Sequence, residues 1–187
     1  MKQINYYILE HFENSNVSIL ERLHINKNID SYNYHPKTNP ELYELVGKLI
    51  KERGNDANLN DIDTSEITDM TYMFADSKFN GDISEWDVSN VKNMNYMFGN
   101  SKFTGENGDI SNWDVSKVVD MNYMFAYSEF NEDISNWNVS NVENMTCMFK
   151  KSNFNGDISE WDVRNVKYMW HMFFRSPLEK NPPKWYK

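Results

Sequence analysis

The residues of this chain that could do chemistry recur at a fixed interval. One tryptophan falls in each interval, and four aligned indole rings could stack on sugars or on unpaired bases. Each tryptophan, however, takes the central apolar place of an Ile-x-x-Trp-x-Val pattern, which favours burial in a stack over an exposed platform. We therefore interpret these residues as core: Trp86, Trp113, Trp137 and Trp161.

Acidic and polar side chains alternate with these apolar positions and predict a binding surface. If equivalent positions align, they form three rows, which are Glu85, Asn112, Asn136 and Glu160; Asp87, Asp114, Asn138 and Asp162; and Ser89, Ser116, Ser140 and Arg164. Five acids against one arginine give a net charge of about −4, and like charges set side by side are destabilising. A basic protein partner or bound cations would offset that cost. Alternatively, the face is solvated and its Asp side chains accept hydrogen bonds from turn amides.

Other candidate sites have weaker sequence support. One Asp opens each interval, at Asp82, Asp109, Asp133 and Asp157, but the dense D-x-D-x-D-G spacing of a calcium loop is missing, so we expect turn residues and no bound metal. The four histidines are scattered, and Cys147 stands where other copies have tyrosine or histidine. No nucleophile, base and stabiliser come together, so we predict a protein that is not an enzyme and has no cofactor.

Two positions break the pattern and are candidates for partner contact. Trp170 stands where other copies have Asn95, Asn122 and Thr146, which makes it a partner-binding candidate unless the C-terminal tail packs on it. The second is a three-residue insertion, Glu106-Asn107-Gly108. Inserted loops in repeat proteins sometimes lie on the binding side.

The elements that must position these residues are repeats. Asp109, Asp133 and Asp157 open successive units at a period of 24 residues, and each unit ends in Met-x-x-Met-Phe. A degenerate copy begins near Leu59. Within a unit, Trp-x-Val alternates as a strand does, whereas Val-x-x-Met-x-x-Met-Phe has the spacing of a short helix. We predict an α/β repeat solenoid, a leucine-rich-repeat-like right-handed stack of about five 24-residue strand-plus-short-helix units with a helical N-terminal cap.

The repeated WDVSNVxxMxxMF motif resembles the BspA-like leucine-rich repeats, a domain of unknown function, over residues 59 to 187. The resemblance extends to the tail, which begins at Ser176 and contains Pro-Pro-Lys-Trp-Tyr. It implies non-enzymatic binding or adhesion on bacterial surfaces, with short forms in gut-bacterial and phage-related genomes.

The domain organisation follows from the repeat boundaries. We predict a helical N-terminal leader and cap over residues 1–58, repeats over 59–176 and a C-terminal cap or tail over 177–187. Helices are expected over Ile4–Phe12 and Val17–Leu23, and a third over Asn39–Arg53. For the third, Asn39 is the expected N-cap and Gly54 the expected stop.

Net charge and targeting signals limit the possible partners and the cellular location of the protein. A net charge of −9 argues against direct binding to nucleic acid. Neither a signal peptide nor a long apolar run is evident, so we expect a cytoplasmic protein that does not bind a membrane, with a surface location only by a non-classical route. We also expect a monomer. The first hypothesis is an interaction module that binds a basic partner through the outward face. The alternatives are an acidic inhibitor, possibly phage-borne, that occupies a nucleic-acid-binding site of a host protein, and a bacterial surface adhesion protein.

Overall fold

A computed structural model describes residues 32–187 of the chain. The helices expected at Ile4–Phe12 and Val17–Leu23 lie outside the described residues. No helix in the described part is both long and apolar enough to cross a membrane.

Helix α1 runs from Asn39 to Arg53, as the sequence predicts. Its N-cap is Thr38 and not Asn39, because the Thr38 hydroxyl accepts the Glu41 N–H at 3.4 Å. Gly54 ends the helix with a φ of 94°, a left-handed value that suits glycine. The buried face, Leu42, Val46 and Leu49, joins the same core as the repeats.

The predicted fold class is wrong. Besides α1, residues 32–187 contain one 3-10 turn, Pro177–Glu179, and isolated parallel bridges, with no continuous strand and no sheet. The strand-plus-short-helix solenoid is therefore not what the chain forms. The bridges still join equivalent positions of successive repeats: Asp69 to Asn93, Asn93 to Asp120, Asp120 to Asn144 and Asn144 to Tyr168.

Consecutive tight turns take the place of the predicted short helix. We call these segments the ribbons; the first to the fifth are residues 69–76, 93–100, 120–127, 144–151 and 168–175. In the second ribbon, the N–H groups of Met97 and Gly99 return to the carbonyls of Met94 and Tyr96, three residues earlier. Tyr96 has a φ of 54°, whereas an α-helix needs φ near −63° at every residue. The i, i+3 spacing of apolar residues arises here from turns.

Other ribbon N–H groups join one repeat to the next, while the Asn95 N–H donates to Asn93 Oδ1 of its own ribbon at 2.9 Å. Met94, Tyr96 and Phe98 donate to carbonyls of the third ribbon at 2.9 Å. Alternate N–H groups thus close turns within a ribbon and bridge between ribbons, so the backbone is paired without forming a regular strand.

The predicted strand segment is also built from turns. Trp86 N–H donates to the Ile83 carbonyl at 3.2 Å, and Val91 N–H donates to the Val88 carbonyl at 2.9 Å. The alternation that suggested a strand is real, because Trp86 and Val88 are buried while Asp87 between them is exposed. Alternation alone does not distinguish a strand from two successive turns.

Aromatic side chains form the core in columns that run through the repeats. One column is Phe74, Phe98, Phe125, Phe149 and Phe173, with neighbouring ring centroids 5.4–6.0 Å apart and nearly parallel planes. The tryptophans form another: each indole N–H donates to a carbonyl of the preceding repeat, as Trp137 does to Ile110 at 3.0 Å. The expected burial of the tryptophans is confirmed, and the exposed-platform alternative is wrong.

The C-terminal tail extends these columns by one step. Trp185 donates its indole N–H to the Ile158 carbonyl at 3.0 Å, which is the bond that the repeat tryptophans make. Tyr186 packs edge-on against Phe173 at 4.9 Å. The tail therefore covers the end of the phenylalanine column.

Candidate functional site

The aspartate that opens each repeat shapes a turn with its own side chain. Oδ1 of Asp82, Asp109, Asp133 and Asp157 accepts the backbone N–H of the serine two residues later at 2.8–3.0 Å. These N–H bonds hold the pKa of Asp133 and Asp157 below the usual range. For Asp82, burial opposes ionisation, but the Ser84 N–H and hydroxyl still lower the pKa. The aspartates act as turn residues, as the sequence predicts.

A second side-chain turn follows five residues later in each repeat. Asp87, Asp114, Asn138 and Asp162 accept the N–H two residues on at 2.9–3.2 Å. The Ser116 hydroxyl and N–H lower the pKa of Asp114. At Asp162, bonds from the Arg164 guanidinium and N–H lower the pKa to about 2. One oxygen of each residue in this row is thus used within its own turn.

Amide side chains hold these turns in register between repeats. Asn90, Asn141 and Asn165 donate to the carbonyls of Ser65, Ser116 and Ser140 in the preceding repeat at 2.6–2.9 Å. Equivalent turn residues therefore lie side by side. We call the three aligned rows, from Glu85 to Arg164 as given above, the acidic strip.

The turn tips are the most available part of the acidic strip. Glu85, Asn112, Asn136 and Glu160 are all exposed. Within residues 32–187 their side chains make no hydrogen bond or ion pair, unlike the Asp87 row. The strip can thus offer free carboxylate and amide groups without disturbing the turns.

Lysine charge beside the acidic strip was missed from the sequence. Lys117 replaces the asparagine found at Asn90, Asn141 and Asn165, and its Nζ donates to Asn90 Oδ1 at 2.7 Å. Its charge also contributes to the lowered pKa of Asp114. The sequence does contain a signal for it, because Lys117 departs from the repeat consensus at a position next to the acidic rows.

Trp170 does not belong to the acidic strip. It lies in the fifth ribbon, at the register of Thr71, Asn95, Asn122 and Thr146. The tail does not bury it, because Trp185 and Tyr186 pack on Phe173 and leave Trp170 71% exposed. Its nearest ring is Tyr168, edge-on at 6.4 Å.

The inserted loop is tied to the repeats by its asparagine. Asn107 Nδ2 donates to the Asn80 carbonyl at 2.7 Å, and Gly108 lies close to the Asp82 backbone. Its role in binding stays a prediction.

No three His, Cys, Asp or Glu side chains among residues 32–187 lie close enough to hold a metal ion. Cys147 is buried, and its thiol beside the Tyr123 hydroxyl, together with burial, raises the pKa of Tyr123 to about 12. The acidic strip supplies hydrogen-bond acceptors and negative charge.

Comparison with known proteins gives a family but no activity. No curated protein and no solved structure matches the chain. A family model described as "Mycoplasma protein of unknown function, DUF285" matches residues 44–128 and again residues 101–185. These two matches overlap and together cover more than half of the chain, in agreement with its internal repeats. The chain therefore belongs to the family described as Mycoplasma protein of unknown function, DUF285.

Proposed function

We propose that the chain is a non-enzymatic interaction module that binds a basic protein surface through the acidic strip. The observation that carries the proposal is the row of turn tips, Glu85, Asn112, Asn136 and Glu160, which align between repeats and have no partner within residues 32–187. A row of carboxylates and amides at about strand spacing matches a partner that presents several lysines or arginines. The resemblance to BspA-like repeat proteins, several of which are binding proteins, supports the same role.

Energetic considerations favour recognition by charge over deep burial of the partner. The acidic strip is exposed, so each ion pair with a partner contributes about 0.2–1 kcal/mol and is weakened by salt. Specific binding then needs several such pairs at once. We therefore expect association that is fast and strongly dependent on ionic strength.

The test begins with capture of a partner from lysate of the organism that carries the gene. A strip variant, Glu85→Gln, Asp87→Asn, Asp114→Asn and Glu160→Gln, removes four negative charges and keeps an amide oxygen that can accept the turn bonds of Asp87 and Asp114. Its matched control removes four exposed acids elsewhere: Glu44→Gln, Asp56→Asn, Glu106→Gln and Glu132→Gln.

The two variants have the same net charge, so a difference between them reports position. We expect Kd for the captured partner to rise at least about tenfold, or about 1.4 kcal/mol, in the strip variant and to change little in the control. Equal affinity of the two variants would show that the partner binds elsewhere or through overall charge.

A further inference from the structure

The outward face of the ribbons changes in charge along the stack. The first three ribbons contain Asp69, Asp76 and Asp120 and no lysine or arginine. The fourth and fifth contain Lys150, Lys151 and Arg175 and no aspartate or glutamate. In a chain with 28 acidic and 19 basic residues, this is a local reversal of sign.

The three cations rest on aromatic rings and not on carboxylates. Lys151 lies over the Tyr127 ring at 5.1 Å, and Arg175 lies over Phe174 at the same distance. Lys150 is 5.7–6.0 Å from three ring centroids. Within residues 32–187 none of the three makes a salt bridge, although Lys37, Lys102 and Lys167 each do. Their charge is thus positioned but not neutralised.

The fifth ribbon also ends the backbone pairing between repeats. In earlier ribbons, the residues equivalent to Met169 and His171 donate their N–H groups to the next repeat, as Met145 and Cys147 do at 2.7 and 2.9 Å. In the described part of the chain, the N–H groups of Met169 and His171 find no acceptor.

A carboxylate already occupies another N–H of this edge. Glu179 accepts the Arg175 N–H through Oε2 at 3.0 Å. This contact shows that the edge accepts an acidic group.

Exposed aromatic side chains adjoin the open edge. Tyr168 is 52% and Trp170 is 71% exposed, and no residue of the tail covers them. Large exposed rings beside unpaired backbone donors are typical of surfaces that receive an extended segment.

We propose that the fourth and fifth ribbons form a second binding surface, which docks a short, extended, acidic segment of a partner protein. Carbonyls of the segment accept the N–H groups of Met169 and His171, its carboxylates pair with Lys150, Lys151 and Arg175, and its apolar side chains pack on Tyr168 and Trp170. This surface is opposite in charge to the acidic strip and does not depend on it.

The test is selection of displayed random twelve-residue peptides on the full chain. We expect enriched sequences that combine aspartate or glutamate with apolar residues. A synthetic peptide of the leading sequence should lose at least tenfold in affinity for Lys151→Glu, Arg175→Glu. The matched control, Lys48→Glu, Lys51→Glu, makes the same charge change on α1 and should bind as the parent does.

Hydrogen exchange then tests the backbone part of the proposal. Bound peptide should slow exchange at the amides of Met169 and His171, and Trp170→Ala should weaken binding without altering the far-UV spectrum.

The proposal is overturned if no sequence is enriched, if enriched sequences carry no acidic excess, or if the Lys151→Glu, Arg175→Glu variant binds like the control. It is also overturned if the chain forms dimers that Lys151→Glu, Arg175→Glu dissociates, because the occupant is then a second copy. If the acidic strip variant bound its partner as well as its control did, the proposed function would fail, but the peptide results described here would not change.

Discussion

On one side of each repeat, side chains join the turns of neighbouring repeats, and on the other side backbone N–H groups join neighbouring ribbons. Asp133 and Asn138 accept turn N–H groups, so a change of residue there removes a structural bond. Each of the first four ribbons has one such bond, from the N–H two residues on to the side chain of its opening Asp or Asn, and carbonyls of the same and the next ribbon accept the N–H groups that follow. Ribbon positions after the opening residue are therefore free to vary where they face outward. The register of Tyr72, Tyr96 and Tyr123, for example, holds Cys147 and His171 in the last two ribbons. Variation between repeats concentrates on the ribbon side.

The strongest test of this comparison asks whether the two sides share one core. Phe125 is fully buried and stacks on Phe98 and Phe149, while Trp137 approaches it from the turn side at 6.2 Å. We expect Phe125→Ala to lower the free energy of unfolding by about 3–5 kcal/mol, measured by urea denaturation. A single cooperative transition should remain.

The control for this loss is a large aromatic residue outside the core. Tyr43 on α1 is 57% exposed, so Tyr43→Ala should change the free energy of unfolding by less than about 0.5 kcal/mol. A loss below about 1 kcal/mol for Phe125→Ala, or separate transitions for the two sides, would contradict a common core.

The second test compares one hydrogen bond at two depths. Trp137→Phe removes the indole N–H that satisfies the Ile110 carbonyl in the core, and we expect a loss of about 1–3 kcal/mol in unfolding free energy. Trp185→Phe removes the same bond to Ile158 in the partly buried tail, where water replaces it, so the loss should be smaller. Equal losses in urea unfolding would mean that the tail is packed as tightly as a full repeat.

The third test examines whether a side-chain hydrogen bond stabilises a turn on the turn side. Asn138 accepts the Ser140 N–H at 3.2 Å and the Ser140 hydroxyl at 2.7 Å, so Asn138→Ala should cost about 0.5–1.5 kcal/mol. Asn136, two residues earlier, makes no such bond and is exposed, and Asn136→Ala should be nearly neutral. If both variants lost the same free energy of unfolding, the side-chain bond would not be what stabilises this turn.

The sequence could predict the positions of the repeats but not their backbone conformation. The period, the buried phenylalanines and tryptophans and the bounds of α1 follow from apolar spacing and capping residues. The ribbons do not, because i, i+3 spacing is common to helices and to successive turns. The left-handed residues that distinguish the two are Tyr, Asn, Asp, Cys, His, Lys and Arg here, whereas glycine is the usual sequence signal for positive φ.

The candidate site was predictable to a similar extent. Alternation around each tryptophan was enough to place Glu85, Asp87 and their equivalents on the outside. It could not show that the Asp87 row is engaged in turns while the Glu85 row is free, since that depends on the local backbone. Nor could it show that Trp170 lies on the ribbon side, away from the acidic strip.

The smallest expected effect concerns the charge on the turn side. Because turn N–H groups lower the pKa of Asp133 and Asp157, the folded state binds protons less readily than the unfolded state. Their contribution to stability is therefore present above the unfolded pKa, near 3.9, and is lost as pH falls through the lower folded values.

The double variant Asp133→Asn, Asp157→Asn keeps an acceptor oxygen in each turn but cannot titrate there. Its urea midpoint should therefore fall less steeply than that of the parent below about pH 4. Glu132→Gln, which removes an exposed acid outside these turns, should follow the parent. Parallel curves for all three proteins would mean that acid destabilises the fold through overall charge, and the turn side would then be no more acid-sensitive than the ribbons.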